Sequence, residues 1–269
     1  MARILIDHVS IVYDNWRERS RFLAVDDVSL EIDHGEFLVV VGPSGCGKTS
    51  LLNAVSGLLQ PAEGTVTVDN RPIRGPGSDR ALVFQEYALF PWLNVRENVR
   101  FGIELLARRA DPADENRRVQ QLIELVGLAG FERHFPHELS GGMRQRTGLA
   151  RALAIQPEIL LIDEPFAAID AMTREVMQTE LLKILSRTRQ TVLFITHSID
   201  EALILGDRVV AMSRRPGRVK KIITVPFLSP RWEHDARTDP RFGEMREHIW
   251  GLLRDEAEQA EEPVARIPG

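Results

Sequence analysis

The sequence predicts an α/β protein: a mostly parallel sheet, further strands before it, and a helical insertion. Three observations carry that prediction. The first 41 residues read as strands. Apolar strands then alternate with stretches of helical spacing, the pattern of a parallel sheet with helices on its faces. Between about Tyr87 and Gln156 the spacing is helical throughout.

The elements follow in order. Ile4-Leu5-Ile6, Val9 to Val12 and Val28 to Ile32 have strand patterning, closed by a turn at Asp33-His34-Gly35. Phe37 to Val41 is a continuous apolar strand running into Gly42, and Ser50 to Leu59 places Leu51, Val55 and Leu58 on one helical face. Thr65 to Val68 and Ala81 to Phe84 read as short strands around the Gly75-Pro76-Gly77 loop. In the helical insertion Asn94 is an N-cap three residues before Glu97, and the run through Leu122, Ile123, Leu125 and Val126 stops at Gly127. Buried strands return at Ile159 to Ile162 and Thr191 to Ile195, with a helix over Thr173 to Ser186 between them. Asp239-Pro240 starts a last helix with Phe242, Met245, Ile249 and Leu252 on one face, and Asp255 to Gly269 reads as an acidic, frayed tail.

Composition narrows the function. Of 269 residues, 43% are hydrophobic and 27% charged, which excludes collagen-like, disordered and disulfide-scaffold chains. No apolar run approaches the roughly 20 residues that cross a bilayer, and the N-terminus lacks a signal-peptide pattern, so a cytosolic protein is expected. Lys and Arg total 34 against 39 Asp and Glu, a net charge of −5 that argues against nucleic acid as a partner. The single cysteine, Cys46, lacks a disulfide partner and the spacing of a zinc site.

Gly42-Pro43-Ser44-Gly45-Cys46-Gly47-Lys48-Thr49, followed by Ser50, fits the phosphate-loop pattern G-x-x-x-x-G-K-[ST], between a strand and a helix. Glycines there turn the chain so that backbone N–H groups and the helix dipole face phosphate. Lys48 is expected to reach the outer phosphates of a nucleotide and Thr49 to ligate Mg²⁺. Ile159 to Ile162 leads directly into Asp163-Glu164. At a strand end beside a nucleotide, Asp163 can hold Mg²⁺ through water while Glu164 orients and deprotonates the attacking water. Alone, that acidic pair reads equally as a helix N-cap. Ser140-Gly141-Gly142, in Leu139-Ser140-Gly141-Gly142-Met143-Arg144-Gln145-Arg146, is a further anion site or a plain N-cap.

Together these motifs resemble the ATP-binding-cassette ATPases, with Met143 where that family's signature has glutamine. The resemblance covers nearly all of residues 1–225. It implies a P-loop NTPase (RecA-like) core with an N-terminal antiparallel β subdomain, a helical subdomain over about 87–157, and a short extension over 226–269. It implies ATP and Mg²⁺, with Ser140, Gly141 and Gly142 clamping the nucleotide of a second copy in a head-to-tail dimer. Gln85 is similar to the glutamine that touches Mg²⁺ and the attacking water, Asp170 to the aspartate that communicates between the two sites, and His197 to the histidine on the γ-phosphate. Tyr13 matches the aromatic that stacks on adenine, with Trp16 the alternative because about six extra residues, Trp16 to Arg21, precede the next strand. Taken singly, Gln85, Asp170 and His197 read as a solvated turn residue, a helix cap and a structural histidine.

Arg74 to Arg80, Leu89 to Val95, Pro216-Gly217-Arg218 and Thr238 to Phe242 resemble the ATPase subunits of nitrate, sulfonate and taurine importers, the taurine and alkanesulfonate branch most. That resemblance implies separate transmembrane permease subunits, a solute-binding protein, and a peripheral place on the cytoplasmic face of the inner membrane. Leu89 to Leu93 then reads either as a groove wall for a permease helix or as core packing. The other class of function is a soluble cassette ATPase acting in translation or DNA repair. Such proteins join two cassettes or carry long insertions, which this chain lacks.

Overall fold

Period-two alternation closes the N-terminal strands into one long hairpin in the computed structural model, which describes residues 3–15, 20–86, 88–104, 111–167, 170–188, 190–228 and 230–258. β1 (Ile4–Asn15) pairs antiparallel with β2 (Ser20–Ile32), burying Ile4, Ile6, Val9 and Ile11 against Val25, Val28, Leu30 and Ile32. The second strand thus begins at Ser20, where the sequence suggested Val28. The cause is a pair of bulge residues. His8 and Asp27 both adopt left-handed backbone conformations (φ 50° and 49°), and their side chains meet at 2.6 Å, breaking the alternation that marks a strand. The Asp27 carboxylate, hydrogen-bonded to His8, raises that imidazole's pKa above its ordinary value.

β4 (Glu63–Val68) joins the other edge of β1, and a turn with left-handed Asp69 and Asn70 leads to the two-residue β5 (Arg71–Pro72). Residues 1–77 and 191–269 form one compact unit, and residues 78–190 a second. The first unit also holds a parallel trio. β3 (Phe37–Val41) lies between β8 (Thr191–Thr196) and β9 (Arg208–Met212), with β10 (Val219–Thr224) antiparallel on β9. Every residue of β3 and β8 is buried, as continuous apolar runs require when both faces are covered. α1 (Lys48–Ser56) buries Leu51 and Val55. It ends at left-handed Gly57, so Leu58, placed on the helix by its spacing, lies beyond it and exposed.

α6 (Ile199–Leu205) is capped by Ser198. α7 (Arg241–Glu258) starts where Asp239 accepts from the Arg241 N–H at 2.9 Å; the Arg241 guanidinium on that carboxylate lowers its pKa to about 2. Phe242 and Ile249 are buried and Met245 and Leu252 half-buried, and each fully buried side chain of this size contributes about 1.5–3 kcal/mol. The helix continues through Asp255 to Glu258, four residues assigned to the tail on sequence grounds. Residues 259–269 lie outside the described residues.

In the second unit β6 (Arg80–Val83) runs parallel to β7 (Ile159–Asp163). Among the described residues four α-helices accompany them: α2 (Val95–Glu104), α3 (Pro112–Leu125), α4 (Gly141–Ala154) and α5 (Ala171–Thr188). Asn94 and Glu97 form the expected reciprocal cap, each side chain accepting the other's backbone N–H at 2.9 Å. α2 and α4 approach backbone to backbone at Gly102, where a Cβ would fall 2.8 Å from the Arg151 carbonyl.

Asn98, 0% exposed, organises the loop before α2. Its amide donates to the carbonyls of Phe90, Leu93 and Asn94, and its oxygen accepts from the Phe90 N–H at 3.0 Å. Asn98→Ala strands these part-buried backbone groups, so we expect about 1–3 kcal/mol of lost stability. Urea unfolding of the variant checks this as a lowered midpoint; an unchanged midpoint would show that the loop folds without it.

Candidate functional site

The phosphate loop leaves β3 as a tight bend. Gly45 and Gly47 adopt left-handed conformations (φ 76° and 97°), the geometry that points successive N–H groups into one concavity. No larger residue fits at Gly47: a Cβ would lie 2.6 Å from Val25 and 2.7 Å from the Ala24 carbonyl. Gly47 is also the N-cap of α1, with no side chain to occupy the helix's first N–H groups. The Lys48 side chain turns back beneath the loop and donates to the carbonyls of Gly42 (2.8 Å) and Pro43 (3.1 Å), leaving it 4% exposed. An ammonium donating to two loop carbonyls sits where it can exchange one of them for a phosphate oxygen. Cys46 is buried; its sulfur lies 2.9 Å from where a Cβ on Gly42 would stand, so it packs against the loop's start.

Tyr13, Ser50 and His197 belong to the same unit. The Tyr13 hydroxyl donates to Ser50 Oγ at 3.0 Å, which sets the ring beside the first turn of α1. Its ring also stacks on Phe22, directly across the hairpin, at 5.3 Å between centroids. Trp16 lies outside the described residues. The parallel register of β3 and β8 aligns Val41 with Thr196, so exposed His197 and Gly42 leave the sheet side by side.

Gln85, Ser140, Gly141, Gly142, Asp163, Glu164 and Asp170 fall in the second unit. β6 and β7 align Val83 with Ile162, two residues before Gln85 and two before Glu164, so the chain leaves both strands at one edge. Asp163 is buried at the end of β7, and Glu164 follows in a left-handed conformation (φ 39°). Such backbone strain in a non-glycine residue costs about 1–3 kcal/mol, and the surroundings must hold it. The Ser140 hydroxyl accepts from the Met143 N–H at 3.3 Å as an N-cap, so the departure at Met143 uses only its backbone there. Gly142 packs against Met177 of α5, whose sulfur would be 3.1 Å from a Cβ. Asp170 caps α5 through the Thr173 N–H at 3.0 Å, and that bond lowers its pKa below the ordinary value.

Each of three expected metal ligands carries an oxygen of the hard kind that Mg²⁺ takes: the Thr49 hydroxyl in the first unit, and the Gln85 amide and Asp163 carboxylate in the second. Among the described residues no three His, Cys, Asp or Glu side chains cluster.

With the loop, the acidic strand end and the Ser-Gly-Gly cap in place, comparison with known proteins assigns the family. Residues 25–167, more than half of the chain, match the ABC transporter family. The chain belongs to that family. The cassette is 46% identical over 239 residues to a taurine import ATP-binding protein of a Jannaschia species, covering 88% of each chain. It is 45% identical over 236 residues to the nitrate import ATP-binding protein of Synechococcus elongatus, covering 87% of this chain and 86% of that one. A solved dimeric ATP-binding cassette, bound to ADP and Pi after hydrolysis, superposes with a TM-score of 0.74 at 31% identity. It spans 84% of this chain and all of that one.

Sequence reasoning missed two residues at the phosphate loop. Phe22 lay hidden because the strand containing it went unrecognised, and Arg215, whose Nε donates to the Gly45 carbonyl at 3.3 Å, sits 170 residues away in the chain. Its position before Pro216-Gly217-Arg218 was the one available signal.

Lys48→Ala removes the buried ammonium. A charge-assisted hydrogen bond is worth about 1.5–3 kcal/mol, so MgATP affinity should fall about 10- to 100-fold in equilibrium titration. Wild-type affinity in the variant would separate Lys48 from phosphate recognition.

Proposed function

We propose that the cassette is the ATP-hydrolysing subunit of an importer for a small anionic or zwitterionic solute such as taurine, an alkanesulfonate or nitrate. The observation that carries this reading is the complete phosphate loop with Lys48 poised beneath it, in a chain 45–46% identical to taurine and nitrate import ATP-binding proteins. Residues 1–225 would form the nucleotide-binding domain, with its helical part near 87–157, and 226–269 a C-terminal extension. Net charge −5 gives the translation or DNA-repair reading no support.

In this reading the loop of residues 42–50, through the backbone N–H groups of its residues other than Pro43, and Lys48 bind and orient the phosphates of ATP, and Tyr13 supports the base. Thr49, Gln85 and Asp163, the last through water, would hold Mg²⁺, which when bound neutralises phosphate charge. Glu164 accepts a proton from the attacking water, Gln85 orients that water, and His197 donates to the γ-phosphate. Two copies act head to tail. Ser140, Gly141 and Gly142 of each close on the nucleotide of the other, and Asp170 relays between the sites. Support for the pairing comes from the dimeric state of the related solved cassette. Phosphoryl transfer needs mainly positioning and charge stabilisation, which such an arrangement supplies.

Among the described residues no helix is long and apolar enough to cross a membrane, so the solute path would belong to separate permease chains. The cassette would sit against them at the cytoplasmic face of the inner membrane, with a solute-binding protein choosing the cargo. For the permease contact we assign the segment after Gln85. Leu89, Phe90 and Leu93 are half-buried, while Pro91 and Trp92 face outward, Trp92 at 69% exposure. Phe90 anchors the segment between Trp92 (5.5 Å) and Phe101 (4.5 Å), and Arg151 holds the Ala88 carbonyl at 2.7 Å. A rigid loop presenting one large aromatic suits docking into an apolar pocket.

Two outcomes check this reading. Glu164→Gln should bind MgATP as the wild type does while turnover falls about 10²- to 10⁴-fold, the usual contribution of a general base; near-normal turnover removes Glu164 from that role. Trp92→Ala should keep basal ATPase activity and lose co-purification with the permease, and undiminished co-purification would place the contact elsewhere.

A further inference from the structure

The turn that follows β9 reaches the phosphate loop from outside its motif. Ser213 closes it: the Ser213 N–H donates to the Arg218 carbonyl and its hydroxyl oxygen accepts from the Arg218 N–H, both at 2.9 Å. The turn is then joined to β2. Gly217 N–H donates to the Ala24 carbonyl (2.9 Å), Asp26 N–H donates to the Gly217 carbonyl (3.0 Å), and Arg218 forks onto the Asp26 carboxylate. Gly217 also lies flat against the loop: a Cβ there would fall 2.0 Å from the Cys46 carbonyl. The same β2 segment crowds Gly47 through Ala24 and Val25. The phosphate loop is therefore enclosed between β2 and this turn.

Arg215 occupies the tip of the turn. Its Nε donates to the Gly45 carbonyl at 3.3 Å, and its guanidinium lies over the Phe22 ring, 4.8 Å from the centroid. Phe22 stacks on Tyr13, and Tyr13 bonds to Ser50 of α1. One chain of contacts thus runs from α1 through two rings and a guanidinium back to the loop. The peptide joining Gly45 to Cys46 is held from both ends, its carbonyl by Arg215 and its N–H by the Pro43 carbonyl at 3.3 Å. Arg218, nearby, spends its charge on a carboxylate. Among the described residues Arg215 is held by a carbonyl and a ring with no carboxylate partner, so it adds a cation beside an anion-binding loop.

We propose that Arg215 is a positioning residue of the nucleotide site, fixing the Gly45–Cys46 peptide in its phosphate-binding conformation so that triphosphate affinity depends on it. The proposal rests on the phosphate-loop assignment above. It makes Phe22 the support that holds the guanidinium in place. Arg215 sets binding and leaves the chemical step to Glu164.

Arg215→Met keeps a stem over Phe22 and removes both the donor and the charge; Arg215→Lys keeps the charge and a donor. In steady-state ATPase assays we expect Arg215→Met to raise the KM for MgATP about five- to tenfold with kcat within twofold, and Arg215→Lys to recover part of that rise. Calorimetric titration with inorganic tripolyphosphate, which lacks a base, should show the same factor for Arg215→Met. An unchanged KM, a kcat falling in step with kcat/KM, a Lys variant no better than Met, or a loss confined to ATP while tripolyphosphate binds normally would each overturn the proposal. Lys48→Ala runs in parallel. If it binds both probes as the wild type does, the phosphate-loop assignment itself fails; if it loses both while the Arg215 variants do not, only the role of Arg215 fails.

Discussion

The burial of β3 is the constraint on which the nucleotide site depends. A strand covered on both faces and hydrogen-bonded along both edges, to β8 and to β9, cannot slip by one residue without exposing its apolar side chains and breaking two ladders. Its end is therefore fixed at Val41, and the chain must begin its bend at Gly42. Everything the loop does chemically follows from that fixed start: the left-handed glycines, the ammonium folded beneath them, and the helix whose N-terminus faces the same concavity. β7 imposes the same discipline on Asp163 and Glu164, since a wholly buried strand delivers both carboxylates to one defined edge.

Left-handed backbone recurs at the positions where chemistry is assigned. Glu164 is held in a conformation that few side chains adopt, and the phosphate loop has two glycines with positive φ within three residues. The packing around these positions is correspondingly dense. Cys46 fills the space behind Gly42, β2 abuts Gly47, and Met177 lies against Gly142. The surface assigned to the permease follows a different logic, in which an exposed Trp92 stands on a loop stiffened from within by Asn98 and Arg151.

Local patterns were legible in the sequence, and long-range ones were not. The phosphate loop, the Asn94–Glu97 cap and the apolar strands β3, β7 and β8 each declare themselves within a few residues, because their physics is one of periodicity and turn chemistry. The beginning of β2 did not, since a bulge at Asp27 interrupts its alternation and its early residues gain their strand character from pairing with β1. The end of α7 was misread for a related reason: acidic composition suggested fraying, while an apolar face anchored at Phe242 and Ile249 carries the helix on to Glu258. Asp170 and Ser140 were legible as caps, and caps they are. Arg215 was invisible as a neighbour of Gly45 because nothing local links residues 170 positions apart.

That separation has a consequence for how the protein is made. β3 is synthesised early, yet its partners β8 and β9 lie some 155 and 170 residues later, beyond the whole of the second unit. Loop-closure entropy must be met before those pairings form, which places them among the slow, non-local events of folding. During translation the nascent β3 has neither neighbour, and the turn carrying Arg215 emerges later still. The second unit can build its local helices meanwhile. The loop at residues 42–50, in the first fifth of the chain, thus gains the strands that flank β3 only from the last third.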